Sequence, residues 1–237
     1  MKFKKEIKDL SHKNPHEETC GFLVLNELME VIVMPAVNTH QDKKKYFKID
    51  SQAFLDIEKR YKIIAIFHSH PTSSEKPSTF DLNSSEELCL PFLIYSLKTD
   101  KFFLHFPNSY EAMDLRGRIY IKDIHECTCL VKDYYKKELN IDISSWIKNY
   151  CIPEEPKKAN TLLYRVFKKN LVEPEDQLKK HDIIIFKFSK DRMMHAGIYL
   201  GNEEFIHQRA NQLSSVDFLD NRWKNKIYKT YRHPSLV

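Results

Sequence analysis

Ile63-Ile64-Ala65-Ile66-Phe67-His68-Ser69-His70-Pro71, with Ser78-Thr79-Phe80-Asp81 shortly after it, decides how the first half of this chain folds. Ile63–Phe67 is apolar on both faces of an extended segment, which predicts a strand inside a sheet rather than at its edge. A Pro/Ser-rich loop runs from Pro71 to Ser78, and Thr79–Cys89 reads as a helix. Upstream, Lys2–Leu10 reads as a short helix, with strand-like runs at Gly21–Leu25 and Val31–Met34. Downstream, Phe92–Tyr95 and Phe102–Phe106 supply further strands, and the α/β pattern closes near residue 107.

Pro107–Arg118 is expected to be a boundary, dividing the chain into residues 1–110 and 111–237. The second half opens with Cys127–Leu139 at near-helical apolar spacing, then a loop at Pro153–Pro156 and a helix at Thr161–Lys168. Ile183–Phe188 and Ala196–Leu200 read as strands, the latter turning at Gly201-Asn202 into Glu204–Gln208 as a hairpin. The expected fold class is α/β, or α+β, in both halves.

The composition narrows the setting. The chain has 237 residues and a net charge of +5, and the positive excess lies entirely beyond residue 110. No Lys/Arg-dense run with interleaved aromatics occurs, so nucleic acid is not an expected partner. Five cysteines at irregular spacing do not form a disulfide framework and suit a reducing compartment. With no apolar core of signal-peptide length at the N-terminus and no run of about eighteen apolar residues, no membrane span is expected, and the protein is expected in the cytoplasm.

The chemistry follows from spacing. Residues two apart on an extended segment project to one side, so His68 and His70 can converge on one ion. Asp81, one turn into the helix that begins near Ser78, can return as a third ligand. Two histidines and a carboxylate leave a tetrahedral Zn2+ an open position, as in catalytic sites. Glu18, in Glu18-Thr19-Cys20-Gly21, is the candidate proton shuttle, and Gly21 permits a close strand approach. Singly, His-x-His reads as two surface residues and Ser78-x-x-Asp81 as a helix capping box. In the second half, Cys127 at a helix start is placed where backbone N–H groups favour a thiolate. His195 opens a strand, and the hairpin is expected to set His207 opposite it within about one position, to orient it as the third member of a Cys-His-His set.

The string His68-x-His70-x7-Ser78-x2-Asp81 resembles the JAMM (MPN-type) metallopeptidase motif over residues 1–107. That resemblance implies zinc on His68, His70 and Asp81, Glu18 as general acid/base, and Ser78 as an oxyanion stabiliser. Glu126-Cys127-Thr128-Cys129, with His195-Ala196-Gly197 and Phe205-Ile206-His207, resembles the NlpC-type cysteine peptidases, papain-like enzymes that cleave peptide stems of bacterial cell wall. In that family the residue before the nucleophile is usually Asp and the one two after it usually small, where this chain has Glu126 and Cys129. The two together are similar to bacteriophage tail tip assembly proteins of the lambda K type. This implies other tail tip proteins and peptidoglycan stem peptides as partners, and the host cytoplasm during assembly and the tail tip of the virion as locations. The alternatives are a tail component whose catalysis is dispensable and a cellular protease acting on ubiquitin-like conjugates.

Overall fold

Strand β3 (Lys62–His70) is buried on both faces from Ile64 onward, as its unbroken apolar run requires. In this computed structural model, which describes residues 2–110, 113–121, 124–147, 166–188 and 195–237, β3 is the middle of a five-stranded sheet of order β2-β1-β3-β4-β5. Its neighbour β1 (Cys20–Leu25) runs antiparallel to it and to β2 (Val31–Ala36). On the other side β4 (Phe92–Ser96) runs parallel to β3 and antiparallel to β5 (Lys101–His105). A parallel pair needs a crossover, and α3 (Thr79–Leu88) lies between the two strands in sequence. The amphipathic α1 (Lys2–Lys13) buries Phe3, Ile7 and Ser11, one stripe at i, i+4 and i+8. A helix not legible in the sequence, α2 (Ser51–Glu58), is started by Asp50, whose carboxylate accepts from the amides of Gln52 and Ala53.

The chain divides into two compact units, Met1–Glu111 and Ala112–Val237. The second is built on an antiparallel sheet of order β10-β6-β7-β8-β9, from β6 (Ile183–Phe186), β7 (His195–Gly201), β8 (Glu204–His207), β9 (Ser215–Phe218) and β10 (Ile227–Tyr231). Strand β6 is buried on both faces. Ile183 and Ile185 pack with Leu130, Val131, Tyr134 and Tyr135 of α4 (Cys127–Leu139). Ile184 and Phe186 pack the other way, with Phe205 and Leu219. The strand expected to reach Phe188 stops at Phe186. Residues 166–170 are helical, which covers the end of the helix read at Thr161–Lys168. The rest of that helix and the Pro153–Pro156 loop lie outside the described residues.

A buried ion pair ties α4 to the start of this unit. Arg118 is almost completely enclosed, and its Nη1 lies 2.5 Å from Asp133 Oδ2. Arg118 also donates to the carbonyls of Asp114 and Met113. Its backbone is stitched to the segment after β8: Ser214 N donates to Arg118 O at 2.9 Å, and Arg118 N to Ser214 Oγ at 2.8 Å. Removing one partner of such a pair leaves the other charge buried, a loss of about 3–5 kcal/mol. Arg118→Ala is therefore expected to lower the unfolding free energy by that amount in urea titration. A variant within about 0.5 kcal/mol of the parent would contradict the placement.

Candidate active sites

Strand β3 delivers both histidines of the first unit to one face, and His68 Nε2 lies 3.1 Å from His70 Nε2. Asp81 closes the group, its Oδ1 3.2 Å from His68 Nε2 and its Oδ2 3.5 Å from His70 Nε2. All three residues are buried, and their ligand atoms lie within 4.8 Å of one another. Donors of one tetrahedral zinc, each about 2.0–2.1 Å from the ion, stand about 3.3 Å apart. The observed spacings match that value, and two imidazole nitrogens facing each other beside a carboxylate need a cation or a proton between them. His70 Nδ1–H donates to the Ser74 carbonyl at 2.6 Å, leaving Nε2 as the lone-pair donor a metal requires. Phe47 stacks on the His68 ring at 4.5 Å. These residues fit a zinc ion.

The local sequence explains each placement. Ser78 caps α3: its Oγ accepts from Asp81 N at 3.2 Å, and its Oγ and backbone N both donate to Asp81 Oδ2 at 2.7 Å. The capping box thus exists, and it aims the Asp81 carboxylate at the two histidines. Because the Ser78 hydroxyl proton is engaged by Asp81, an oxyanion could be served only by exchanging that bond. Glu18 lies just before β1, where Thr19 N donates to Ser69 Oγ and Ser69 N to Thr19 O, each at 2.9 Å. This brings Glu18 Oε1 to 3.9 Å from His70 Nε2. Gly21 makes the approach possible, since a Cβ there would stand 2.3 Å from the Met34 carbonyl oxygen and 2.7 Å from the Phe67 ring.

The electrostatics separate the carboxyls. In Asp81 burial works to raise the pKa, but hydrogen bonds with His68, His70 and Ser78 outweigh it and hold the group well below the usual carboxylate range. Burial pushes Glu18 up to about 8, with His70 opposing and Asp81 adding. Burial also pushes His68 down. In His70 burial is outweighed by Asp81, the Ser74 carbonyl and Glu18, so its pKa is raised.

In the second unit, His195 Nε2 and His207 Nδ1 are 2.8 Å apart. The hairpin between them turns through Asn202 and Glu203, with φ of 51° and 59°, the positive values a two-residue turn favours. A bulge between Tyr199 and Gly201 shifts the register, so His207 sits opposite Gly197. This corrects the expected pairing within one position of His195. The rings meet diagonally across one face, over the glycine. A Cβ at Gly197 would lie 3.0 Å from the Phe205 ring and 3.3 Å from His207 Cβ. Gly197→Ala is accordingly expected to cost about 1–3 kcal/mol through overpacking and to displace the His207 ring, as read by thermal melts and imidazole shifts. An unshifted ring and an unchanged melt would contradict that packing.

Cys127 begins α4, capped by Glu126 without a side-chain hydrogen bond. Cys127 is half-buried and its thiol is free; the thiols of buried Cys20 and Cys129 and of exposed Cys89 are free as well. Burial, with Glu126 adding, pushes it up to about 12, although the amides of Ala196 and Thr128 favour the thiolate. The stabilisation expected at a helix start is thus outweighed by desolvation. The amide of Ala196, the residue after His195 in β7, faces the sulfur, and the two histidines are boxed by aromatic rings: Phe186 stacks on His195 with centroids 6.0 Å apart, and Trp223 meets His207 edge-on at 5.0 Å. Burial in that box, with His207 and Arg209, pushes His195 down to about 3.

Residues 3–106 match the family described as prokaryotic homologs of the JAB domain, and residues 118–232 match the NlpC/P60 family. The chain joins a JAB-type domain to an NlpC/P60 domain. Two curated relatives carry the name tail tip assembly protein K. That of Escherichia phage N15 is 22% identical over 216 residues, spanning 91% of this chain and 88% of that protein. That of Escherichia phage lambda is 24% identical over 186 residues, spanning 76% and 86% respectively. Among solved structures, protein DSY2949 from Desulfitobacterium hafniense is 26% identical, covering 43% of this chain and 75% of that chain with a TM-score of 0.33.

In the JAB-type unit His68, His70 and Asp81 lie together with Glu18 beside His70, and Ser78 lies against Asp81. In the NlpC/P60 unit His195 and His207 are hydrogen-bonded and Cys127 lies at the strand that His195 opens. Asp217 was missed by sequence reasoning: its Oδ2 lies 3.1 Å from His207 Nε2, and a lone acidic residue on a strand not read from the sequence gave no signal. Among the described residues, no helix is long and apolar enough to cross a membrane.

Proposed function

We propose that the chain is a phage tail tip assembly protein with two hydrolase centres. The NlpC/P60 unit cleaves peptidoglycan stem peptides at γ-D-glutamyl-diamino-acid bonds, and the JAB-type unit hydrolyses a peptide or isopeptide bond in a protein. The observation that supports this reading is the convergence of His68, His70 and Asp81 in one unit, and in the other a hydrogen-bonded His195–His207 pair on the strand whose Ala196 amide faces the Cys127 sulfur. The phage assignment is supported by relatives of that name aligning over most of this chain. Assembly in the host cytoplasm, with a place at the tail tip beside other tail proteins, follows from the same likeness.

In the thiol centre, His195 Nε2 is occupied by His207, so Nδ1 is the nitrogen free to act as base. It takes the Cys127 proton as sulfur attacks the carbonyl carbon, then gives it to the leaving amine; water afterwards releases the acyl group by the same route. The resting pair is a neutral thiol beside a neutral imidazole, because burial raises one and lowers the other. The charge pair forms only as the reaction proceeds, and the Ala196 and Thr128 amides favour the emerging thiolate.

In the metal centre, His68, His70 and Asp81 would hold zinc, which supplies Lewis-acid polarisation and a water of lowered pKa. Glu18, whose carboxyl burial shifts upward in the metal-free site and whose Oε1 stands 3.9 Å from His70 Nε2, would be the group that holds a proton and passes it to the leaving amine. Ser78 keeps Asp81 aimed.

The test is incubation of purified stem peptides with the wild-type chain, Cys127→Ala and His68→Ala. Cleavage by the wild type and by His68→Ala but not by Cys127→Ala is expected. Equal cleavage by all three would dispose of the assigned nucleophile.

A further inference from the structure

We infer that Asp217 is a positioning residue of the thiol centre: its carboxylate fixes which nitrogen of His207 carries the proton, and thereby which nitrogen of His195 remains as the base. The inference rests on the proposed thiol chemistry and extends it by a fourth side chain.

The β8–β9 register sets His207 opposite Ser215 and Phe205 opposite Asp217. Asp217 is therefore two residues along from the partner of His207 and shares its face. Ser215 Oγ donates to Asp217 Oδ1 at 3.1 Å, which turns the other oxygen towards the ring. Oδ2 then lies 3.1 Å from His207 Nε2. The contact is close but not well aligned, and that nitrogen is buried with no other hydrogen-bond partner.

Two arrangements of the proton are conceivable. A lone pair on Nε2 would face a carboxylate and be repelled by it, whereas an N–H there meets the nearest acceptor. With Nε2 protonated, neutral His207 presents a lone pair at Nδ1. His195 must then donate from Nε2 across the 2.8 Å contact, which leaves its Nδ1 unprotonated. The opposite assignment would put N–H on His207 Nδ1, a lone pair on His195 Nε2 and a proton on His195 Nδ1, where no base would remain. The charged and titratable groups facing His207 are His195, Arg209 and Asp217; Asp217 favours a proton on it, and Arg209 opposes one. Each proton transfer balances within the relay: one leaves Cys127 Sγ, one arrives at His195 Nδ1, and Asp217 neither gains nor loses any.

The full-length chain and its Asp217→Asn and Asp217→Ala variants, labelled at imidazole nitrogens, provide the test. Asparagine keeps the shape and can offer N–H to His207, so packing alone is preserved while the proton preference is reversed. We expect Nε2–H on His207 in the wild type, and a shift to Nδ1–H or a mixture in both variants. The kcat on stem peptides should fall at least about tenfold while KM stays within about twofold. His207 retaining Nε2–H in both variants, or an unchanged kcat, would overturn the inference. The tautomer is read without turnover, so a wild type that cleaves nothing would reject the thiol chemistry while the nitrogen shifts still decide the role of Asp217.

Discussion

Cys127→Ala is expected to lower kcat on stem peptides at least about 10⁴-fold, to the level that binding alone supports. Cys129→Ala should stay within about tenfold, because Cys129 is buried while Cys127 keeps some surface and has the Ala196 amide against its sulfur. Removing the proposed nucleophile leaves no thiol proton for His195 to take and no sulfur to attack the carbonyl, whereas removing Cys129 takes away only packing around α4. The free enzyme should also show a diagnostic pH dependence. A thiol pushed up to about 12 holds little thiolate near neutrality, and that fraction rises about tenfold per pH unit until the pKa is reached. Alkylation of Cys127 by iodoacetamide, resolved by mass spectrometry from that of exposed Cys89, should therefore keep rising past pH 9. A plateau near pH 7 would mean a preformed ion pair and would contradict the buried, neutral resting state.

Removing zinc is expected to have a comparable effect on the first unit, read as stability. A ligand bound only by the folded state contributes about 4 kcal/mol at a thousand times its dissociation constant. Its loss would leave Asp81, Glu18 and two imidazoles buried beside one another with no shared cation. Under a chelator, hydrogen-exchange protection should fall in β1, β3 and the first turn of α3, by roughly a factor of 10³ where opening of the unit limits exchange. Glu18→Gln should keep the ion and the protection, since Glu18 stands 3.9 Å from the His70 nitrogen rather than completing the triad of donors. The pH sense follows from Asp81, whose folded pKa is depressed. Its contribution is present above the unfolded value of about 4 and is lost as pH falls through the folded one. Equal protection with and without chelator would remove the reason for these donors to converge.

Short-range patterns were the legible part of this chain. Strand β3 is written as an apolar run ending in His-x-His, and α3 as Ser78-x-x-Asp81, so the proposed metal triad needs only one strand and the following helix turn. Glu18 was reachable because Gly21 marks where β1 presses against β3. The hairpin of β7 and β8 was legible as an element, but its register was not: the pairing of Gly201 with Glu204 alone would set His207 opposite Ile198, and a bulge at Tyr199–Gly201, which no single residue announces, moves it to Gly197. Asp217, and the Arg118–Asp133 pair that anchors α4, are ordinary charged residues until the fold brings them to distant partners. The protonation of Cys127 escaped sequence reasoning for a related reason. A helix start is visible in the letters, but the desolvation that overrides it comes from packing around the sulfur.

Elemental analysis of the purified full-length chain beside His70→Ala puts the shared ion most directly at risk. About one zinc per wild-type chain and almost none in the variant is the predicted result. Equal zinc in the two, or none in a folded wild type, would show that His68, His70 and Asp81 are gathered for some other reason.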